Sequence, residues 1–333
     1  MARIIGKLEA HDEYTHEVGP EPNFNESMYF NFFDPSRGVG GFLRLGNRAN
    51  EGYAEMTTTI FRPDGRVLFD FQRPKITGNE AFNAGGTRFE VIEATERLRT
   101  TYRGKPVSLR RPREMVDPRR AFTSNPRAAV SIDLVHTAVG PLYGSAHDEA
   151  EAGSSAESQF AKAHYEQHMH VTGTVEIDSE KIEISGNGLR DHSWGPRSWQ
   201  AIDGYEWLTM NFGDDLGAML SVIRRPGKPL RMGGVLVRGD TIDPIDDIAI
   251  EIDYEDGGLF HRALSVDAKT RSGERLAIEG RVLAFLPLRN RRAERTTHVG
   301  EGMTEWRLGD RVGFGLSELL RTVDAAAIPT CSL

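Results

Sequence analysis

The chain has 333 residues, of which 27% are charged, and a formal net charge of −8. That balance argues against a general binder of nucleic acid or anionic membrane, since such proteins draw much of their affinity from excess Lys and Arg. The length suits two domains of roughly 150–170 residues, each large enough to bury a core, and the one cysteine, Cys331, leaves no internal disulfide or cysteine-rich zinc site and argues against thiol catalysis.

The opening MARIIGKLEAHDEYTHE lacks the apolar run of a signal peptide, and nothing downstream approaches the roughly 18 apolar residues that span a bilayer. The expectation is a soluble, cytoplasmic protein with no membrane span. Period-two alternation with closely spaced turn signals recurs from end to end, which predicts an all-β chain. The glycines of RGVGG, Gly38, Gly40 and Gly41, neither form GxGxxG nor open a helix, so they read as a bulge or hairpin. Ala54 to Phe71 reads as a hairpin turning at Pro63-Asp64-Gly65, and Phe89 to Arg110 as another, bending at Arg103-Gly104-Lys105. The basic run from Arg97 to Arg120 is expected to be a solvated hairpin and loop.

Gly144 to Ser158 is small, polar and acidic, as befits a linker or a mobile flap. It sets the boundary near residue 160, giving domains 1–160 and 161–333. Short helices are expected only around Glu157 to Ala163 and Leu316 to Val323. Asn25, Glu26 and Tyr29 near the start, and Glu301, Glu305 and Glu318 near the end, are expected on solvent-facing strand positions. Many short strands without crossover helices favour sandwiches or up-and-down barrels, and barrels of about eight strands hold one small ligand.

Chemistry concentrates in the middle. In HYEQHMHVTGTVEI, odd positions carry Tyr165, Met169, Val171, Val175 and Ile177, and even positions carry His164, Glu166, His168 and His170. One strand face is therefore apolar and the other titratable. A turn at Asp178-Ser179-Glu180 returns the chain, and GNG at Gly186 to Gly188 is expected to break the strand before LRDHSWGPRSW. That segment reads as a loop aiming side chains at a sheet's end. An acid beside an imidazole tunes its basicity, although Asp191 and His192 meet only if the chain turns between them. Trp194, Trp199 and Trp207 are positioned to line a pocket and stabilise a carbocation.

GNGLRDHSWGPRSW with its preceding histidine strand resembles the AttH and carotenoid hydratase (hydroxyneurosporene synthase) superfamily, whose members share Asp-His-x-Trp-Gly. The segments from Asn25 to Gly52 and from Gly300 to Leu320 resemble an uncharacterised bacterial branch of it. The resemblance implies two lipocalin-like antiparallel β-barrel or sandwich domains packed together, an apolar pocket, and addition of water to isoprenoid double bonds or cyclisation without any cofactor. It implies Asp191, His192 and Trp194 as the protonating and cation-stabilising group, with Tyr205 a downstream aromatic. Pro196-Arg197-Ser198-Trp199 departs from the hydratase pattern, which leaves the substrate open.

Three readings follow. In the first, an enzyme without cofactor or metal transfers protons on an isoprenoid, steroid or polyketide-like molecule; Asp191, His192 and Trp194 act, and His168, His170, Arg190, Arg197, Trp199, Tyr205 and Trp207 bind substrate. In the second, a lipocalin-like carrier binds the same hydrophobic ligand without reaction. In the third, His168 and His170 ligate a metal completed by His192, Asp191 or Glu166. The expected partner is a hydrophobic small molecule and not nucleic acid, and a homodimer is compatible with all three.

Overall fold

A computed structural model describes residues 3–145, 163–198, 201–255, 259–292 and 295–324. The chain is all-β: a curled half-barrel sheet and a closed eight-stranded barrel, consistent with a lipocalin-like fold. No helix among the described residues is long and apolar enough to cross a membrane. The chain divides into two compact units, Met1–Leu109 with Asn125–Ser198, and Arg110–Ser124 with Trp199–Leu333. By contacts, residues up to Ser198 group with the first unit, apart from Arg110–Ser124. The reason is strand pairing: Ala163–Ile177 and Glu180–Pro196 are inserted between Val130–Ala138 and Phe24–Asp34 of the first unit's sheet.

In the first unit the sheet continues from Phe24–Asp34 through Val39–Arg48, Tyr53–Phe61 and Val67–Gln72 to Val107–Leu109. One face carries the core: Met28, Phe30, Leu43, Leu45, Met56, Ile60, Leu134, Met169, Val171 and Val175 are all buried in one cluster. The hairpin at Pro63-Asp64-Gly65 and the one across Gly38 form as expected. The next hairpin does not. Thr87–Glu93 and Arg97–Gly104 pair across Ala94–Glu96, where Thr95 takes φ 65° and gives its N–H to the Glu13 carboxylate at 2.8 Å. A tertiary contact holds that turn, which no local glycine announces. The basic run is mostly exposed and splits between the units, with Arg99 paired to Asp133 and Arg111 to Glu114.

The second unit's barrel closes Gly204–Asn211 onto Arg311–Asp324 around Leu208, Leu220, Val266, Ile278 and Trp306. Leu316 to Val323 lies in a strand, not a helix. Leu316, Ser317, Glu318, Leu319 and Leu320 are all buried, so the segment shows no two-residue alternation, and its pairing with both neighbours overrides the local pattern. Glu301 and Glu318 are cross-strand partners and buried, contrary to a solvent-facing assignment, while Glu305 pairs with Arg281 and Arg307. Residues 157–162, the rest of the other expected helix, and most of Gly144 to Ser158 lie outside the described residues, whereas Ala163 begins a strand.

GNG does not interrupt its strand. Glu180–Pro196 runs unbroken, and the glycines are there because the neighbouring backbone is too close for side chains: a Cβ at Gly186 would lie 2.0 Å from the Phe33 carbonyl oxygen, and one at Gly188 1.9 Å from that of Asn31. Gly188→Ala is therefore expected to destabilise the protein by about 1–3 kcal/mol, the usual cost of overpacking, measured as a lower urea midpoint with unchanged slope.

Candidate active site

The unbroken strand decides the site's geometry. Ile177 and Glu180 close the hairpin, Tyr165 then faces His192 across the ladder, and Glu166 faces Asp191. Because successive side chains alternate, Asp191 and His192 project from opposite faces of the sheet. The two halves of the motif do different work, and His192 does not converge with His168 and His170.

On the core face, His192 is fully buried with both ring nitrogens engaged. Its Nδ1 lies 2.9 Å from the Tyr165 hydroxyl and its Nε2 2.9 Å from Glu26 Oε1. Tyr165 donates to Glu13 at 2.8 Å, and Arg190 donates Nη1 and Nη2 to the two oxygens of Glu13 at 2.5 and 2.8 Å. Arg190 also gives Nε and Nη2 to Gln167 Oε1 at 3.0 and 2.6 Å. Gln167, a polar residue on the otherwise apolar face of its strand, is the amide member of this network. The same Glu26 Oε1 accepts from His16 Nδ1 at 2.6 Å, and the His16 ring stacks on Trp194 with centroids 3.8 Å apart and planes at 13°. Charged groups this deep persist only when paired and hydrogen-bonded. Arg190, His192 and Trp194 thus tie the strand to the N-terminal segment bearing Glu13 and His16.

Burial pushes the Glu26 carboxyl up, but hydrogen bonds from His16 and His192 outweigh it and hold the group down at about 2, against 4.5 ordinarily. A depressed folded-state value stabilises above the unfolded value and is lost as pH falls through the folded one. Stability is therefore expected to decline from pH 4.5 toward about 2, and Glu26→Gln to flatten that decline; chemical denaturation across this range measures both.

On the opposite face Asp191 meets His164, Nε2 to Oδ2 at 2.6 Å, with Glu166 Oε1 3.6 Å from the same nitrogen. Glu166 is buried, Asp191 nearly so, and the His164 side chain is 40% exposed, so solute can reach the imidazole. Burial pushes the His164 value down, but the Asp191 and Glu166 carboxylates together outweigh it and the imidazole is raised; reciprocally, burial lifts Asp191, but His164 and then Arg197 hold it low. Arg197 donates to Ser193 Oγ at 3.1 Å, beside the pair. His168, ring-packed against Tyr143 at 6.3 Å, and half-buried His170 lie farther along the same face. Ligand atoms of His164, Glu166 and Asp191 lie within 4.8 Å of one another, as do those of His16, Glu26 and His192. Neither group among the described residues includes His168 or His170, so the metal set centred on that pair does not assemble. Tyr205 and Trp207 belong to the second unit's barrel, and Trp199 lies outside the described residues.

Residues 9–323 match the family described as a domain of unknown function, DUF7064. The chain belongs to that family. No curated protein matches the sequence. Among solved structures, the DUF7064 chain is similar to a putative AttH from Nitrosomonas europaea, with 14% identity over 96% of this chain and 99% of the other at a TM-score of 0.61. It is also similar to CghA, solved with Sch210972, at 10% identity over 91% and 89% of the two chains and a TM-score of 0.53. Kievitone hydratase from Nectria haematococca matches at 10% identity over 97% and 96%, also with a TM-score of 0.53. At these identities the likeness is one of fold, the AttH and hydratase-like fold that the central motif resembles.

Sequence reasoning missed His164 as a site member and named Glu166 only as a residue completing a metal set, although the alternation places both on the titratable face. It also missed Glu13 and His16, which no local pattern marks.

Proposed function

We propose that this protein is an acid–base enzyme of hydratase, dehydratase, isomerase or cyclase type acting on an apolar small molecule, with His164 and Asp191 as its proton-transfer pair. The observation that carries the reading is the 2.6 Å contact between a largely buried carboxylate and a part-exposed imidazole. Asp191 holds the Nε2–H, which leaves the Nδ1–H of the imidazolium as the proton to give; once it is given, the neutral ring accepts a proton from water or from the substrate. Protonation of a carbon–carbon double bond by Nδ1–H leaves a cation on the substrate, and water adding to it returns a proton to the ring, so a hydration closes without net change in the protein. Arg197 lends positive charge near Asp191 and keeps it ionised. The kievitone hydratase among the proteins of like fold accords with this chemistry, which needs no cofactor.

The test is incubation with isoprenoid, steroid and polyketide-like alkenes in deuterated water. Solvent deuterium should appear on carbon in at least one class; unlabelled recovery of every class, with tight binding of one, would favour a carrier. The compact His164, Glu166 and Asp191 group also supports a second reading, a divalent-cation site of one imidazole and two carboxylates. Stoichiometric metal in the purified protein, lost in Asp191→Asn, would favour it.

A further inference from the structure

The face that bears His164 and Asp191 also bears an amide without a partner. Asn25 is 1% exposed, and neither its Oδ1 nor its Nδ2 has a hydrogen-bond partner. It stands opposite Gly195, while Ser27, two residues on, stands opposite Ser193, which in turn faces His164. Asn25 therefore lies about 7 Å along the strand from the His164 rung, at roughly 3.4 Å per residue. Both side chains reach over Gly46, the ladder partner of Ser27: a Cβ there would come 2.9 Å from Asn25 Oδ1 and 2.8 Å from Arg44 Nη2. The amide and the guanidinium thus converge over one glycine, on the sheet face of the proton-transfer pair. Arg44 reaches the buried Glu55 carboxylate at 3.5 Å, which Arg73 also contacts at 3.1 Å.

We propose that Asn25, with Arg44 beside it over Gly46, holds the polar head of the substrate, and that this head is an uncharged group offering both a donor and an acceptor, such as a carboxamide or a hydroxy-carbonyl. The inference rests on the acid–base reading of the same face. Buried polar groups in folded proteins are almost always paired, and a buried unpaired amide is tolerated where a ligand supplies what it lacks. Oδ1 needs a hydrogen and Nδ2 needs a lone pair. A carboxylate has no hydrogen for Oδ1, and an ether or ester has none either; a carboxamide answers both.

The test compares 1-naphthaleneacetamide with 1-ethylnaphthalene by calorimetry on the full chain. Wild type should bind the amide about tenfold tighter or better, the preference expected when a buried polar group is otherwise left unpaired. Asn25→Leu should bind the two alike, because it keeps the branched outline of the side chain and removes both its donor and its acceptor. Asn25→Asp, which keeps the shape and loses the donor, should weaken the amide as well. Equal binding of the two probes by wild type, no binding of the amide, or a preference that survives in Asn25→Leu overturns the proposal. His164→Gln should keep the preference. If it also keeps full turnover, the acid–base reading falls while the head-group site stands.

Discussion

Arg190→Met is expected to cost about 3–5 kcal/mol of folding stability, the range for breaking a buried ion pair by removing one partner. Arg190 and Glu13 are 1% and 0% exposed, so neither charge gains water when the other is removed. Arg190 also supplies two of the donors that Gln167 accepts. Truncation leaves an ionised carboxylate facing a thioether, with only Tyr165 and the Thr95 N–H still bonded to it. Replacing both partners is predicted to cost much less, since a well-packed apolar pair is often neutral relative to a buried ion pair. Arg190→Met with Glu13→Leu should therefore regain a large part of the loss, and a double-mutant cycle in urea reads the coupling directly. An equal or greater loss in the double variant would show that the network contributes through the groups around the pair and not through the pair itself.

His164→Gln and Asp191→Asn are each expected to lower turnover of whichever alkene accepts deuterium by about 10²–10⁴-fold, the contribution of a positioned general acid–base group. Glutamine keeps a polar side chain but has no proton to exchange near neutrality, and asparagine keeps the shape of Asp191 while removing the charge that sustains the imidazolium. His192→Phe should behave differently. Its ring nitrogens are both spent on Tyr165 and Glu26, so its loss should appear as lower stability, with much smaller effect on the rate of the folded fraction. A rate loss for His192→Phe as large as that for His164→Gln, in protein shown to be folded, would reassign the chemistry to the core face.

The β class was legible because alternation and turn chemistry are local: Pro63-Asp64-Gly65 and Asp178-Ser179 each place a hairpin without help from elsewhere. The same hairpin held more than was drawn from it. A two-residue loop after Ile177 fixes every later rung, so Glu166 opposite Asp191 and Tyr165 opposite His192 follow by counting. Reading Gly186 and Gly188 as a break hid that register, whereas they are sites of close backbone approach. What local pattern does not hold is pairing at a distance. Glu13 reaches Arg190, and His16 reaches Glu26 and Trp194, only because the N-terminal segment folds back on the core face. The turn at Thr95 is likewise set by Glu13, and the buried Glu301 and Glu318 look like exposed strand residues until the barrel closes.

The pairing of His164 with Asp191 is tested most directly by nuclear magnetic resonance titration of the His164 ring in wild type and in Asp191→Asn, which needs no substrate. In wild type the Asp191 carboxylate should hold the imidazole above its ordinary value of 6.5, and in Asp191→Asn the value should fall, since burial and Arg197 still lower it and only Glu166 still raises it. A ring that titrates at or below 6.5 in wild type, unmoved by the substitution, would contradict the pair and with it the acid–base account.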